Sequence, residues 1–472
     1  MRGRPMKRGE LPHPARRVPV LGDVFRLSPR SPMAAIARLG SSLGPVFEIK
    51  VFTKRIVLAA DPDVVTDLCD ESRFVKHVGP ELVELRKVLG TGLVSADVGD
   101  PMWSKANALM QPAFSQAAMR TYHTTLAAVA MEFAAHWSKK AGGSPVDVVA
   151  DLTRATQEMT GRVTFGYVFG SFDRDDPHPF MAALIAMINH SERANILQRI
   201  PLSSLVMRRA EKASDERGRY INAVVDDVIR SRRADPSNEH QDILDVMLRA
   251  SGPEVPNQIS DEDIRFQIIG LAFGADATFC VPAIALHYLA ESPQLLEKAR
   301  SEIDAAWGPD LEGPPSFEQV SKLRYLRRVL DEVMRLWSPV QGFLREAKRD
   351  TVLADRYPIK KGQGVVVFTP LLHRDPVWGA DVDAFDPDRF VPARVKARPA
   401  HAFKPFGTGM RSCIGRHLAV HESLLILSTV LYRFDIEPQP GYRLDVQEAG
   451  GVKPVGLTLS IRERRSHAVR CL

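Results

Sequence analysis

Apolar residues recur along most of this chain at helical spacing, with positions three and four apart sharing a face. Met119 to Lys140, Arg217 to Arg233 and Phe317 to Trp337 carry that pattern over several turns and predict amphipathic helices. A further run opens at Ser260 and Asp263, which resemble a capping box, and continues to Ser292 and Pro293. As one helix it would span about 45 Å. The period changes near the two ends of the chain. Val46 to Ala60 (VFEIKVFTKRIVLAA) reads as two short strands joined by a turn, and Asp350 to Phe368 returns to strand-like alternation around Gly362 and Gly364. The expected fold is mainly α with a small β region, not an alternating βαβ pattern.

With 472 residues, 44% of them apolar and 25% charged, the chain can bury a large core. No repeat or low-complexity linker divides it, so a single catalytic domain over 18–472 is expected. The net charge of +6 is concentrated at the start, in Arg2, Arg4, Lys7, Arg8, Arg16 and Arg17 against Glu10. Residues 1–17 therefore read as a solvated basic arm, and no nucleic-acid motif follows it. Cys69, Cys280, Cys413 and Cys471 lack metal or disulfide spacing, which points to a reducing compartment and the cytoplasm. No continuous apolar stretch of about 18 residues and no signal-peptide core is seen, so no membrane partner is expected.

The most specific run is Phe406-Gly-Thr-Gly-Met-Arg-Ser-Cys413-Ile-Gly415. Its Phe, Gly, Arg, Cys and Gly spacing resembles the haem-thiolate loop of the cytochrome P450 family. A thiolate held under an iron needs N–H donors, a nearby positive charge and a shield from water. Gly407 and Gly409 suit a tight hairpin because glycine accepts positive φ. The resemblance implies Cys413 as the ligand of haem b and Arg411 as a propionate partner. It also implies Phe406 beside the sulfur and Gly415 where a helix approaches the porphyrin.

Other positions follow from the same resemblance. Glu332 and Arg335 stand at i and i+3 and can hold each other, and Arg389 supplies the third member of a Glu-Arg-Arg cluster with a structural role in haem incorporation. Arg345 and Trp103 match residues that contact the propionates. Asn107 stands where the family places a cation, so Lys76 or His77 is expected to substitute.

On the long helix the family carries a small residue, Gly, any residue, an acid and Thr. Counting back from Ser292 and Pro293 aligns these with Phe273, Gly274, Ala275, Asp276 and Ala277. Ala277 then stands where a proton-delivering threonine is expected, with Thr278 turned about 100° away. Pro282 lacks the N–H that would bond the Thr278 carbonyl, which predicts a free carbonyl and a bend. Asp276 with ordered water is the candidate proton route. Oxygenation, radical coupling or cyclisation without oxygen insertion, and peroxide-driven chemistry all stay open, the first two ahead of the third.

Cys69 to Phe74, Phe114 to Gln116, Pro177 to Phe180 and His401 to Phe406 resemble one branch in particular, the haem domain of bacterial fatty-acid hydroxylases fused to a diflavin reductase. The chain ends 59 residues after Cys413, so a separate ferredoxin or flavodoxin system is expected, attracted by Lys105, Lys404 and Arg416. Lys54 stands near the family's carboxylate anchor, but Leu58 replaces its tyrosine partner. Val94, Phe273, Ala277 and Val340 are the candidate substrate-binding residues. They suit a bulky hydrophobic secondary metabolite ahead of a fatty acid. A monomeric enzyme is expected, with a haem-based gas sensor or binding protein as the non-enzymatic alternative.

Overall fold

Strand β1 (Val46–Val51) turns back at Phe52 and Thr53 into β2 (Lys54–Ala59), as the β-branched pattern predicts. The computed structural model describes residues 11–28, 30–197, 203–235, 240–251, 259–275, 277–448 and 451–464. They divide into two compact units whose segments interleave along the chain. The first comprises Met1–His77, Asp331–Cys413 and Val446–Lys453, and the second the remainder.

The first unit is built on a five-stranded sheet in which β1 and β2 are joined by β3 (Phe74–Lys76), β4 (Gly342–Ala347) and β5 (Gly364–Phe368). The strand order is β1-β2-β5-β4-β3, with β2 and β5 parallel and the other neighbours antiparallel. One face buries Val46, Val57, Ala59, Phe74, Val365 and Val367; the other buries Phe47, Ile49, Leu58 and Phe368. Both faces are covered, so these strands read as apolar runs rather than clean alternation.

The basic arm is shorter than expected. The Glu48 N–H donates to the Pro12 carbonyl at 2.7 Å. Arg17 donates to Asp23 Oδ2 (3.1 Å), Glu48 Oε1 (2.7 Å) and the Glu48 carbonyl (2.9 Å). A charge that finds two largely buried carboxylates is pinned by them, so residues 11–17 belong to the fold. Residues 1–10 and Cys471 lie outside the described residues.

The second unit is helical. Helix α1 (Pro101–Met110) is followed by the helices Ala118–Ser138 and Val148–Phe165, then α2 (Asp261–Ala275), α3 (Cys280–Glu291) and α4 (Arg416–Arg433). Helix α4 packs against the Ala118–Ser138 helix and α3, burying Leu425, Ile426, Leu427, Val430 and Leu431. The predicted helix from 317 to 337 is two helices, Phe317–Ser321 and Arg324–Leu336. The Glu302 carboxylate accepts the N–H groups of Tyr325 (2.7 Å) and Leu326 (3.0 Å), capping a fresh N-terminus from a distant part of the chain. Within Asp261–Glu291 an 18-residue window is apolar enough to cross a membrane by composition, with a mean hydropathy of 1.8, but 71% of that window is buried. Such a profile also describes a buried core helix.

Candidate active site

The cysteine loop belongs to the first unit. Its N–H groups are tied locally: Cys413 to the Phe406 carbonyl (2.9 Å), Ser412 to Gly409 (3.0 Å) and Gly407 to Lys404 (3.3 Å). Gly407 and Gly409 take φ of 69° and 71°, the left-handed region in which a side chain is strained. The Cys413 side chain is exposed. Lys76, at the end of β3, lies in electrostatic range of both Arg411 and Cys413. Burial pushes its ammonium down to about 8, Arg411 acts in the same direction, and Cys413 opposes them.

This donor set fits haem b. A thiol, the cations Lys76 and Arg411 near it and a two-glycine turn at positive φ supply a soft axial ligand and partners for carboxylates. In the second unit a Cβ on Gly415 would meet no protein atom within 4 Å. That glycine is therefore not demanded by protein packing, and the open space suits a flat group lying close to the backbone.

Arg345 and His77 each hold partners within the protein. Arg345 is 2% exposed and donates from Nε to the Leu68 carbonyl (2.9 Å) and from Nη2 to that of Phe74 (3.3 Å). Two of its nitrogens thus clamp the β3–β4 edge. His77 pairs with Glu346 at 2.5 Å. Of the two substitutes considered for Asn107, Lys76 is the one beside Cys413. Trp103 is buried on α1, one turn before the partly buried Asn107.

The Glu332–Arg335 pair is fully buried. Arg335 Nε and Nη2 grip the two Glu332 oxygens at 2.7 Å each, and the same guanidinium donates to the carbonyls of His373 (2.9 Å), Val382 (2.7 Å) and Ala384 (3.1 Å). Glu332 also accepts the Asp386 N–H at 2.9 Å and faces Arg389 at 3.4 Å. Arg389 donates to the carbonyls of Trp378 and Asp381. A planar fork that satisfies five acceptors locks this segment in place.

His373, which sequence reasoning missed, extends the lock toward the cysteine loop. Its Nε2 accepts the Lys404 N–H at 3.0 Å, so the neutral ring carries its proton on Nδ1 and donates to the Arg335 carbonyl at 3.1 Å. Burial pushes its pKa down to about 3. A lone histidine in Leu-Leu-His-Arg-Asp carries no sequence signal for this task. Glu71 was also missed as a contact of the loop, although the run containing it carried the family resemblance.

The second unit overturns one expectation about the long helix. The Ser260–Asp263 box is present, with Ser260 Oγ and Asp263 Oδ2 at 2.6 Å. However, α2 ends at Ala275 and α3 begins at Cys280. The N–H groups of Ala277 and Thr278 bond to Gly274 (3.2 Å) and Ala275 (3.0 Å), an i to i−3 pattern. The Thr278 carbonyl is not free: Val281 N–H reaches it at 3.4 Å. The Cys280 thiol donates to the Ala277 carbonyl at 3.1 Å. Pro282 sits in the first turn of α3, where its missing N–H costs little. The break is therefore upstream of Pro282, and the 100° argument that set Thr278 aside no longer applies, because tighter turns advance about 120° per residue. Asp276 lies outside the described residues.

Candidate pocket residues in this unit sit along α2. A Cβ on Gly270 would lie 3.9 Å from Val94 Cγ2, and one on Gly274 would meet nothing within 4 Å. The Val94 loop is held there by Gln267 Oε1, which accepts the Leu93 N–H at 2.9 Å. Phe273 and Ala277 are partly buried. In the first unit Val340 is 59% exposed.

Buried titratable groups on α4 make stability depend on pH. Glu422 is 1% exposed and its Oε1 has no hydrogen-bond partner among the described residues. Burial pushes it up to about 8 from 4.5. The native state keeps this proton where the unfolded chain has lost it, so stability falls as pH rises from about 4.5 through about 8. Glu422→Gln should leave denaturant stability nearly unchanged at the acidic edge of that window and raise it progressively toward the alkaline edge. A difference that is flat with pH counts against the buried neutral acid.

The sequence profile described as Cytochrome P450 matches residues 12–459. A bifunctional cytochrome P450/NADPH–P450 reductase of Bacillus cereus is 34% identical over 94% of this chain and 41% of its own length. A second, from Bacillus subtilis, is 35% identical over 92% of this chain and 40% of its own. The chain thus spans about two-fifths of the length of these curated relatives. The solved cytochrome P450DA heme domain superposes with a TM-score of 0.90 at 34% identity, covering 97% of this chain and 98% of that one.

Proposed function

Because this chain belongs to the cytochrome P450 family of haem-thiolate monooxygenases, we propose that it oxidises a bulky hydrophobic small molecule, of the kind met in bacterial secondary metabolism, with Cys413 as the ligand of its haem b. The observation that carries the proposal is the Cys413 loop itself, with Gly407 and Gly409 at positive φ and the Cys413 N–H bonded to the Phe406 carbonyl at 2.9 Å, while Lys76 lies in electrostatic range of Arg411 and Cys413. Bound through a thiolate and supplied with electrons and oxygen, haem provides an oxidant strong enough to attack unactivated C–H bonds. In this reading Lys76 and Arg411 neutralise the propionates, with Trp103 adding an N–H. The Gly407–Gly409 turn holds the sulfur in place, and the Glu332–Arg335–Arg389 lock keeps the preceding segment rigid.

The low relief of α2 at Gly270 and Gly274, beside Val94, favours a wide substrate over a narrow chain. Electrons come from a reductase, an activity that both Bacillus relatives are named for alongside their cytochrome P450. Thr278, freed from regular helical register, is the hydroxyl available to pass a proton where Ala277 has none, with Asp276 two residues upstream in the chain.

The reading is tested by supplying candidate substrates, a surrogate reductase and isotopically labelled oxygen, then weighing the products. Label in the product supports oxygenation; coupled or cyclised product without label transfers the assignment to the radical reading; ligand binding with no product at all leaves a sensor. Thr278→Ala should lower product per electron by about 10²-fold if its hydroxyl is the proton donor, while Ala277→Thr should change it little. The reverse ordering returns the role to the Ala277 position.

A further inference from the structure

Glu71 precedes β3 in the first unit, and its side chain turns onto the cysteine loop. Oε1 accepts the Met410 N–H at 3.1 Å. A Cβ on Gly409 would lie 2.0 Å from the same oxygen, so the carboxylate rests directly on the backbone of the turn and Gly409 is required for that approach as well as for its φ. A neighbouring contact holds this arrangement: Lys348 Nζ donates to the Glu71 carbonyl at 2.7 Å. Glu71 is thus joined to the loop at Gly409 and Met410.

Two consequences follow from elementary electrostatics. The hydrogen bond fixes the turn Gly409–Arg411, whose far end is two residues from the sulfur. The carboxylate also places a negative charge against the loop, opposing the cations Lys76 and Arg411 near Cys413. Negative charge close to a redox centre disfavours its reduced state.

We propose that Glu71 is a positioning residue for the thiolate loop, and that its carboxylate on the Met410 N–H holds the reduction potential of the haem centre down. This rests on Cys413 being the ligand. Glu71→Gln keeps an oxygen for the Met410 N–H and removes the charge, whereas Glu71→Ala removes both. Redox titration of the haem-loaded protein and the carbon monoxide spectrum of its reduced form are the readouts. Glu71→Gln is expected to retain the thiolate-type spectrum and to shift the ferric–ferrous equilibrium toward ferrous on the order of tenfold, about 59 mV for one electron. Glu71→Ala is expected to show the same shift and, in addition, faster loss of the thiolate-type spectrum on reduction. An unchanged or lowered potential in Glu71→Gln overturns the charge effect, and a spectrum in Glu71→Ala as durable as in Glu71→Gln overturns the positioning. If Glu71→Ala does not fold, the Glu71→Gln titration still decides the charge effect. A parent protein without a thiolate-type spectrum would instead sink the Cys413 assignment.

Discussion

Cys413→Ser is expected to abolish the thiolate-type carbon monoxide spectrum of the reduced protein and to reduce turnover to background, while leaving the protein folded. Serine matches cysteine in size but stays protonated at neutral pH and is a hard, weak ligand for iron. The substitution removes only the sulfur and makes no cavity in the protein core, so the fold should be retained. Neither other described cysteine is placed to substitute. Cys280 is buried and donates to the Ala277 carbonyl, and burial pushes the Cys69 thiol up, away from the thiolate form. Retention of a thiolate-type spectrum in Cys413→Ser, measured with haem loading held equal, would refute the assignment.

Arg335→Ala should cost about 3–5 kcal/mol, the usual penalty for stranding a buried charge, out of a total stability on the order of 5–15 kcal/mol. The truncation leaves the Glu332 carboxylate without its two bonds at 2.7 Å and three carbonyls without their donor. Haem loading should fall with it, because the carbonyl of His373 is one of the three and the His373 ring holds the Lys404 N–H just ahead of the loop. Arg335→Lys restores charge but not the fork, so it should recover only part of the loss. Denaturant unfolding and the haem-to-protein ratio after purification measure the two effects. A cost below about 1 kcal/mol would mean that the pair behaves as an exposed one.

Local chemistry was legible where contiguous residues carry it. The β1–β2 hairpin, the Ser260–Asp263 box and the Gly407–Gly409 turn depend on neighbours in sequence, and each appears in the structure. The Glu332–Arg335 pair was legible as a pair, but its burial was not: the same i, i+3 spacing on an exposed helix is a weak surface contact. Arg345 matched a motif position, yet its guanidinium is held by the carbonyls of Leu68 and Phe74, partners contributed by a segment some 270 residues away.

The register of the long helix shows the same boundary. Residue counting assigns directions only while an unbroken i to i−4 ladder fixes 100° per residue. At 277–278 the ladder gives way to i to i−3 bonds, so counting back from Ser292 and Pro293 does not give the direction of either side chain.

By itself, the sequence determined the ligand chemistry, the mainly helical class and the family, because a cysteine among glycines, arginine and phenylalanine at set spacing is a local device whose geometry is written in adjacent φ angles and side chains. Tertiary structure alone decided which cation stands beside Cys413, which segment braces its loop, and whether Ala277 and Thr278 obey helical arithmetic. Those outcomes depend on through-space packing and burial between segments far apart in the chain, where desolvation and hydrogen-bond satisfaction, not spacing, select the partner.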